Sequence, residues 1–520
     1  MKQRTKKIVL ISMAAFFGII MVGSSTFSLF NGFGGSKVSQ SNIPPVTLTG
    51  TPEDNYSPDK RTTFCQSDNN TRSTKYITEF KVPTLCTQPL AITTDPSGSV
   101  WFTEANTGNI AKFDPISKSF QEFSNAEWQK GEKSMMWGIY RSPDGNIWFS
   151  DSQHNLIWKF DTQNKNYMNF IFPQTPGQQS FPQMLVPDGN YILANDFTGR
   201  KVAIFGTNQT GPALQATSIM SPADYNFTSD MIPDKSGKIW YTIWIYQQGG
   251  ELVSFDPTTS KFAEYTLPSG IQAPNGISVD PSGKLWLTDT ASSIFFSFDP
   301  QSQQFTKYIT LPPPVSTYGN ASGLIKTPIT RPYWNQFDDQ GRLWFNEQVA
   351  NSMAVFDPSK ESLVEYLVPS KNPNWSDCGI GQDCGVAQVL DFTVAHDKVW
   401  FTEWVENNIG VLDPSVGLPI DMSTSATSIS VHRGQNETMT VTLSPNQSIN
   451  GTVSILTAET SSAQDLNVTS SDQNIVLDKP KTVTVTLSAD NFALPGTYKV
   501  VVGARNQDVT ISKFVTVTIQ

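Results

Sequence analysis

The sequence predicts an all-β protein: a seven-bladed β-propeller followed by a small β-sandwich, with an apolar transmembrane or signal helix ahead of both. Three observations carry this. A tryptophan-centred unit recurs around Trp101, Trp148, Ile192, Trp240, Trp286, Trp344 and Trp400, at spacings of 44 to 58 residues. A strand with the pattern that ends each unit also stands ahead of the first one, and beyond residue 417 the composition turns to Thr, Ser and Val. With 11% aromatic residues, 13 Trp, 34 Gly and 34 Pro, the chain reads as many short strands parted by tight turns.

The N-terminus opens Met1-Lys2-Gln3-Arg4-Thr5-Lys6-Lys7 and continues into an apolar run over residues 8–30. Basic residues ahead of roughly 20 apolar ones are the mark of a translocation signal that is long enough to span a bilayer. The body is therefore expected outside the cytoplasm, anchored through residues 8–30 or released by cleavage near Gly23-Ser24-Ser25. Residues 31–70 read as a flexible linker. The four cysteines suit an oxidising compartment and pair most simply by proximity, Cys65 with Cys86 and Cys378 with Cys384. Asn-x-Ser/Thr acceptors at Asn55, Asn69, Asn208, Asn226, Asn320, Asn374, Asn436, Asn446, Asn450 and Asn467 fit a surface glycoprotein. A formal charge of -10 argues against nucleic acid as a partner, because nothing would neutralise the phosphates.

The propeller is assigned to residues 71–417. Its clearest unit runs Pro274-Asn275-Gly276-Ile277-Ser278-Val279-Asp280-Pro281-Ser282-Gly283-Lys284-Leu285-Trp286-Leu287-Thr288-Asp289, then 294–298, Asp299-Pro300 and 304–311. Asp-Pro-Ser-Gly is a β-turn sequence, so the unit reads as four antiparallel strands. Such a unit cannot bury both faces alone, and packing seven sideways closes a ring. The long fifth and sixth spacings leave room for insertions at 312–330 and 370–385. Tyr76-Ile77-Thr78-Glu79-Phe80-Lys81-Val82-Pro83 matches the fourth-strand pattern of Phe262-Ala263-Glu264-Tyr265, whereas nothing like it follows Gly410-Val411-Leu412. The N-terminal strand is therefore expected to complete the seventh blade and remove a free edge. Residues 418–520 then alternate polar and apolar positions in short runs, as an antiparallel sandwich requires.

The phrases Val100-Trp101-Phe102-Thr103-Glu104 and Val399-Trp400-Phe401-Thr402-Glu403, with Asn407-Asn408-Ile409-Gly410, resemble the virginiamycin B lyase (streptogramin lyase) family of seven-bladed propellers. Pro495-Gly496-Thr497-Tyr498 resembles a turn common in immunoglobulin-like modules, which makes the C-terminal part an immunoglobulin-like sandwich by resemblance. The resemblance implies a C–O lyase that opens a cyclic depsipeptide with Mg²⁺ and a histidine base at the start of an innermost strand. The matching positions here hold Leu90, Trp137, Phe181, Ser229, Asn275, Tyr333 and Leu390, and the three histidines, His154, His396 and His432, fall elsewhere. Imidazole is the natural base near neutral pH, so the lyase chemistry lacks its expected residue.

Each Trp-bearing strand ends in an acid three residues on, at Glu104, Asp151, Asp289, Glu347 and Glu403, with Asp196 near the equivalent place and Ile243 the exception. Propeller geometry brings these to one face, beside Trp137, Tyr333 and Trp404. Two readings follow. Repeated acids fasten loop amides, or they form a site for Mg²⁺, Ca²⁺ or a cationic ligand, with Glu347 and Glu403 as the metal candidates and the aromatics stacking on the ligand. The function is accordingly read as surface recognition or scaffolding of a glycan, peptide or cell-envelope protein. The alternative is a divalent-metal-dependent lyase or hydrolase acting on a cyclic ester or peptide.

Overall fold

In the computed structural model, the described residues are 65, 70–129, 132–177, 180–222, 226–245, 249–314, 317, 329–373, 384–461 and 465–520. The expected N-terminal segment 1–30, the linker apart from Cys65 and Asn70, Cys378, and the acceptors Asn55, Asn69, Asn320 and Asn374 lie outside them. Among the described residues no helix is long and apolar enough to cross a membrane.

Seven antiparallel units of four strands form the propeller. Blade 5 shows the plan, with strands Pro274–Val279, Leu285–Asp289, Ile294–Asp299 and Gln304–Ile309. Its first turn is built by Asp280, whose carboxylate accepts from the Ser282 and Lys284 amides and from the Trp286 indole N–H at 3.1 Å. Gly283, at φ 92°, supplies the left-handed residue of that turn. Asp95, Asp234 and Asp338 clasp Trp101, Trp240 and Trp344 in the same way, so the spacing of six from turn aspartate to tryptophan is one hydrogen-bonded unit.

The tryptophans then join blades. Trp101 meets Phe160, Trp148 meets Phe205, Trp240 meets Phe298, Trp286 meets Phe356 and Trp400 meets Phe113, in each case a third-strand phenylalanine of the next blade. The ring closes as the sequence predicts. Strand Ile77–Lys81 pairs antiparallel with Asn408–Leu412, from Ile77 opposite Leu412 to Lys81 opposite Asn408. Cys65 and Cys86 form a disulfide that brackets this closing strand. Cys384 is also disulfide-bonded.

In the C-terminal part, Ile420–Thr424, Asn436–Pro445, Lys481–Ala489 and Leu466–Ser470 make one sheet. Val509–Ile519, Gly496–Asn506, Val453–Glu459 and Asn474–Ile475 make the other, with Ser428–Val431 pairing Val509–Ile519 in parallel. This second sheet does not stop at the sandwich. Val509–Ile519 also pairs with Ser362–Leu367, the outer strand of blade 6, so blade and sandwich share one nine-stranded sheet.

Candidate functional site

The innermost strands determine what the axis offers. Six of them shift register, five after their first paired residue and the fourth blade's after its third, between Pro89 and Ile92, Pro182 and Leu185, Thr228 and Met231, Pro274 and Ile277, Pro332 and Asn335, and Val389 and Phe392. A bulge re-aims the residue it contains; it sets one residue at the equivalent position of six blades, and in the remaining one, blade 2, Trp137 stands just ahead of strand Ile139–Arg141. Those residues are Leu90, Trp137, Ser229, Asn275, Tyr333 and Leu390, as expected, but blade 3 departs. Pro182 pairs with Asp196, so Gln183 holds the position and Phe181, packed against Phe197, does not. Blade 3 carries Ile192 in place of the tryptophan, and counting back from it misses the start of the strand by two residues.

The aromatics do come together. The Trp137 ring lies 6.1 Å from Tyr333 and 6.4 Å from Trp334, and Trp404 is buried as they are. Trp137 Nε1, Tyr333 Oη and Trp334 Nε1 are buried there without a hydrogen-bond partner among the described residues.

The carboxylates do not come together. Glu104, Asp151, Asp196, Asp289, Glu347 and Glu403 are all fully buried, and each holds the loop of its own blade. Glu104 accepts from Thr107 and Asn109, Asp151 from His154 and Trp158, and Asp289 from Ala273 at 2.7 Å and Ser292 at 2.6 Å. Asp196 accepts from the Phe181 and Gly199 amides and faces Lys201 at 3.5 Å. Glu347 accepts from Ser352 at 2.6 Å and Glu403 from Asn408 at 2.7 Å.

The three glutamates share a further arrangement. Each leaves Oε1 without a donor and faces a second glutamate on the outer strand of its own blade: Glu104 with Glu122, Glu347 with Glu365, Glu403 with Glu79. Two carboxylates cannot both stay charged in a buried pair, so one holds a proton and donates it to the other. Burial first, and the Glu122 charge second, push Glu104 up to about 8. Burial also raises Glu347, Glu365 and Glu403. The residues expected to hold Mg²⁺ or Ca²⁺, Glu347 and Glu403, therefore sit in different blades, each facing a glutamate of its own blade. They do not fit a shared ion, and among the described residues no group of three His, Cys, Asp or Glu side chains is placed to hold one.

Two acids that the repeat pattern does not single out lie at the bulges. Asp230 accepts from the Ile277 amide of blade 5 at 3.1 Å, and Asp391 from the Ile92 amide of blade 1 at 2.9 Å. Burial lifts Asp230 to about 7; burial, with a smaller contribution from the Asp230 charge, lifts Asp391 to about 8. Both tie one blade to the next. Only the bulge, which no single strand reveals in sequence, brings them inward.

Residues 58–295 match the Virginiamycin B lyase family. A solved streptogramin B lyase structure is 21% identical with a TM-score of 0.51, the alignment covering 65% of this chain and 97% of that one. Virginiamycin B lyase from Staphylococcus aureus is 17% identical at a TM-score of 0.51, covering 65% and 98%. A catalytically inactive histidine-to-alanine form from the same organism, solved with quinupristin, is 16% identical at a TM-score of 0.51, covering 65% and 98%. No curated protein matches the chain. At these identities the likeness shows the fold and not the activity. With the family match and the seven closed blades taken together, the propeller of this chain is a virginiamycin B lyase-like propeller.

Proposed function

We propose that this is an extracytoplasmic recognition protein, anchored or exported through residues 8–30, that uses the top face of a lyase-like propeller to grip a glycan, peptide or envelope protein. The observation that carries this reading is the set of seven axial positions, Leu90, Trp137, Gln183, Ser229, Asn275, Tyr333 and Leu390. They are buried aromatic, amide, hydroxyl and aliphatic side chains, of which Trp137 and Tyr333 keep an unused N–H and O–H donor, and none of the seven is a histidine or an acid. The disulfide between Cys65 and Cys86 supports an oxidising location, and the C-terminal part serves as an immunoglobulin-like module carried beside the blades.

The rival reading is a lyase or hydrolase working through carboxylates and a divalent ion. Incubating the purified protein with quinupristin and Mg²⁺, and following ring opening by mass spectrometry, separates the two. No turnover is expected, together with chelator-indifferent binding to an envelope fraction or glycan array. Turnover that needs Mg²⁺ and disappears in Glu347→Gln or Glu403→Gln would overturn the recognition reading.

A further inference from the structure

One sheet of the sandwich turns an uncharged, hydroxyl-rich face to solvent. In strands Asn436–Pro445 and Lys481–Ala489 every second residue, Met439, Val441 and Leu443 in the first and Val483, Val485 and Leu487 in the second, is buried in the core. The alternate positions, from Asn436 to Ser444 and from Thr482 to Ser488, therefore share the opposite face and hold only Asn, Thr and Ser. Leu466–Ser470 continues it with Asn467 and Thr469.

Two acceptor sequences for N-linked glycosylation lie on this face, Asn436-Glu437-Thr438 and Asn467-Val468-Thr469. An extended strand turns residues i and i+2 to one side, so each acceptor amide stands beside the hydroxyl that its motif requires, and all four of these residues are exposed. Register then aligns the two motifs. Ser488 pairs with Asn436 on one side and Asn467 on the other, and Thr486 pairs with Thr438 and Thr469. Two strand spacings separate the acceptors by roughly 10 Å. The motif Asn226-Phe227-Thr228 is placed differently: Thr228 is fully buried and donates to the Asp196 carbonyl at 2.7 Å, so its hydroxyl is out of an enzyme's reach.

We propose that Asn436 and Asn467 both carry N-linked glycans, which together cover the outward face of this sheet, while Asn226 stays unmodified. The inference rests on the exported location proposed above and not on what the propeller binds. At each site the side-chain amide nitrogen bonds to the anomeric carbon of a glycan carried on a lipid-linked phosphate or diphosphate donor. The anomeric C–O bond breaks, the lipid phosphate leaves, and one amide proton passes to solvent. The outward positions of these strands have no charge to keep two copies apart, and a bulky hydrated chain at two points of the face supplies that solvation.

The test takes the full chain from the cells that make it naturally, locates it by protease treatment of intact cells and assay of the medium, and maps its glycopeptides by mass spectrometry. The chain is expected outside the cytoplasm, with a glycan mass on the peptides of Asn436 and Asn467 and none on that of Asn226. Thr438→Ala and Thr469→Ala should each abolish the mass at their own site and leave the other site and the circular dichroism unchanged. A bare Asn436 or Asn467 in protein found outside would overturn the glycan-covered face and leave the export reading standing. A chain shielded from protease in intact cells, absent from the medium and unmodified would overturn both. A glycan on Asn226 would overturn the role given to the exposed hydroxyl.

Discussion

The buried acids of this propeller act as proton-holding fasteners rather than as exposed charges. Glu104 with Glu122, Glu347 with Glu365 and Glu403 with Glu79 each join the end of a second strand to the outer strand of the same blade. The sign of their effect on stability follows from proton count. Glu104 at about 8, Asp391 at about 8 and Asp230 at about 7 keep protons in the folded state that the unfolded chain has already released above pH 4 to 5. Their contribution is therefore complete below that point and is lost as pH rises through 7 and 8, by about 1.4 kcal/mol per retained proton per pH unit. The turn aspartates Asp95 and Asp234 work the other way, held below the usual range by hydrogen bonds despite partial burial, and lose their contribution only below about pH 4. The thermal midpoint is expected to be highest near pH 5 and to fall toward pH 9, with a shallower fall in Glu104→Gln. A midpoint rising from pH 5 to pH 9 would refute this. The sequence makes the pairs half-visible: the acids at the strand ends repeat plainly, but their partners in Phe-Gln-Glu122-Phe and Val-Glu365-Tyr become partners only when two non-adjacent strands of a blade turn the same face inward.

At the scale of the strand, the bulge and the residue before each terminal acid form one circumferential belt. Thr103 accepts from the Ala91 amide of its own blade and donates to the Met136 carbonyl of the next. Asn195 does the same between Met184 and Thr228, Asn346 between Trp334 and Val389, and Thr402 between Asp391 and Leu90. Every such side chain is fully buried. Backbone groups freed by a bulge must find partners, and a short hydroxyl or amide side chain serves two blades at once. Thr402 matters most, because it joins the last blade to the first with a 2.7 Å bond. Thr402→Val keeps the shape but strands the Asp391 amide and the Leu90 carbonyl, a cost of about 1–3 kcal/mol, to be read as a lowered denaturation midpoint at unchanged slope. Equal stability of Thr402→Val and native chain would remove the belt from the account. Blade count, turns and the borrowed strand were legible because each is local: Asp-Pro-Ser-Gly makes its turn and clasps its Trp within a few residues. The belt was not, since its partners sit about 30 to 45 residues apart and, at the closure, at opposite ends of the propeller.

Across the whole molecule, the sandwich is built into the propeller's rim. Ser362 faces Lys513 and Tyr366 faces Val509 across a continuous ladder, so blade 6 has no free outer edge. Phe514, 3% exposed, lies against Phe295, Tyr308 and Phe356 of blades 5 and 6. Lys499 binds Glu361, and Arg505 donates to the Pro312 carbonyl at 2.7 Å while its charge lowers the cost of the buried Glu347 and Glu365 pair. Composition placed a change near residue 417 but could not show this join, because strand pairing between distant segments leaves no periodic trace in either. The consequence is that propeller and sandwich unfold together. A chain ending at residue 417 would expose the blade 6 edge, uncover three aromatic rings and leave the glutamate pair without its cation; losing the Phe514 contact alone costs roughly 3–5 kcal/mol. Calorimetry of the full chain should give one transition, and the shortened chain should melt at least about 5 °C lower and self-associate through its open strand. If the shortened propeller instead kept the full-length midpoint and stayed monomeric, the shared sheet would be an adjacency without energetic weight, and the sandwich would be the independent appendage that its composition suggests.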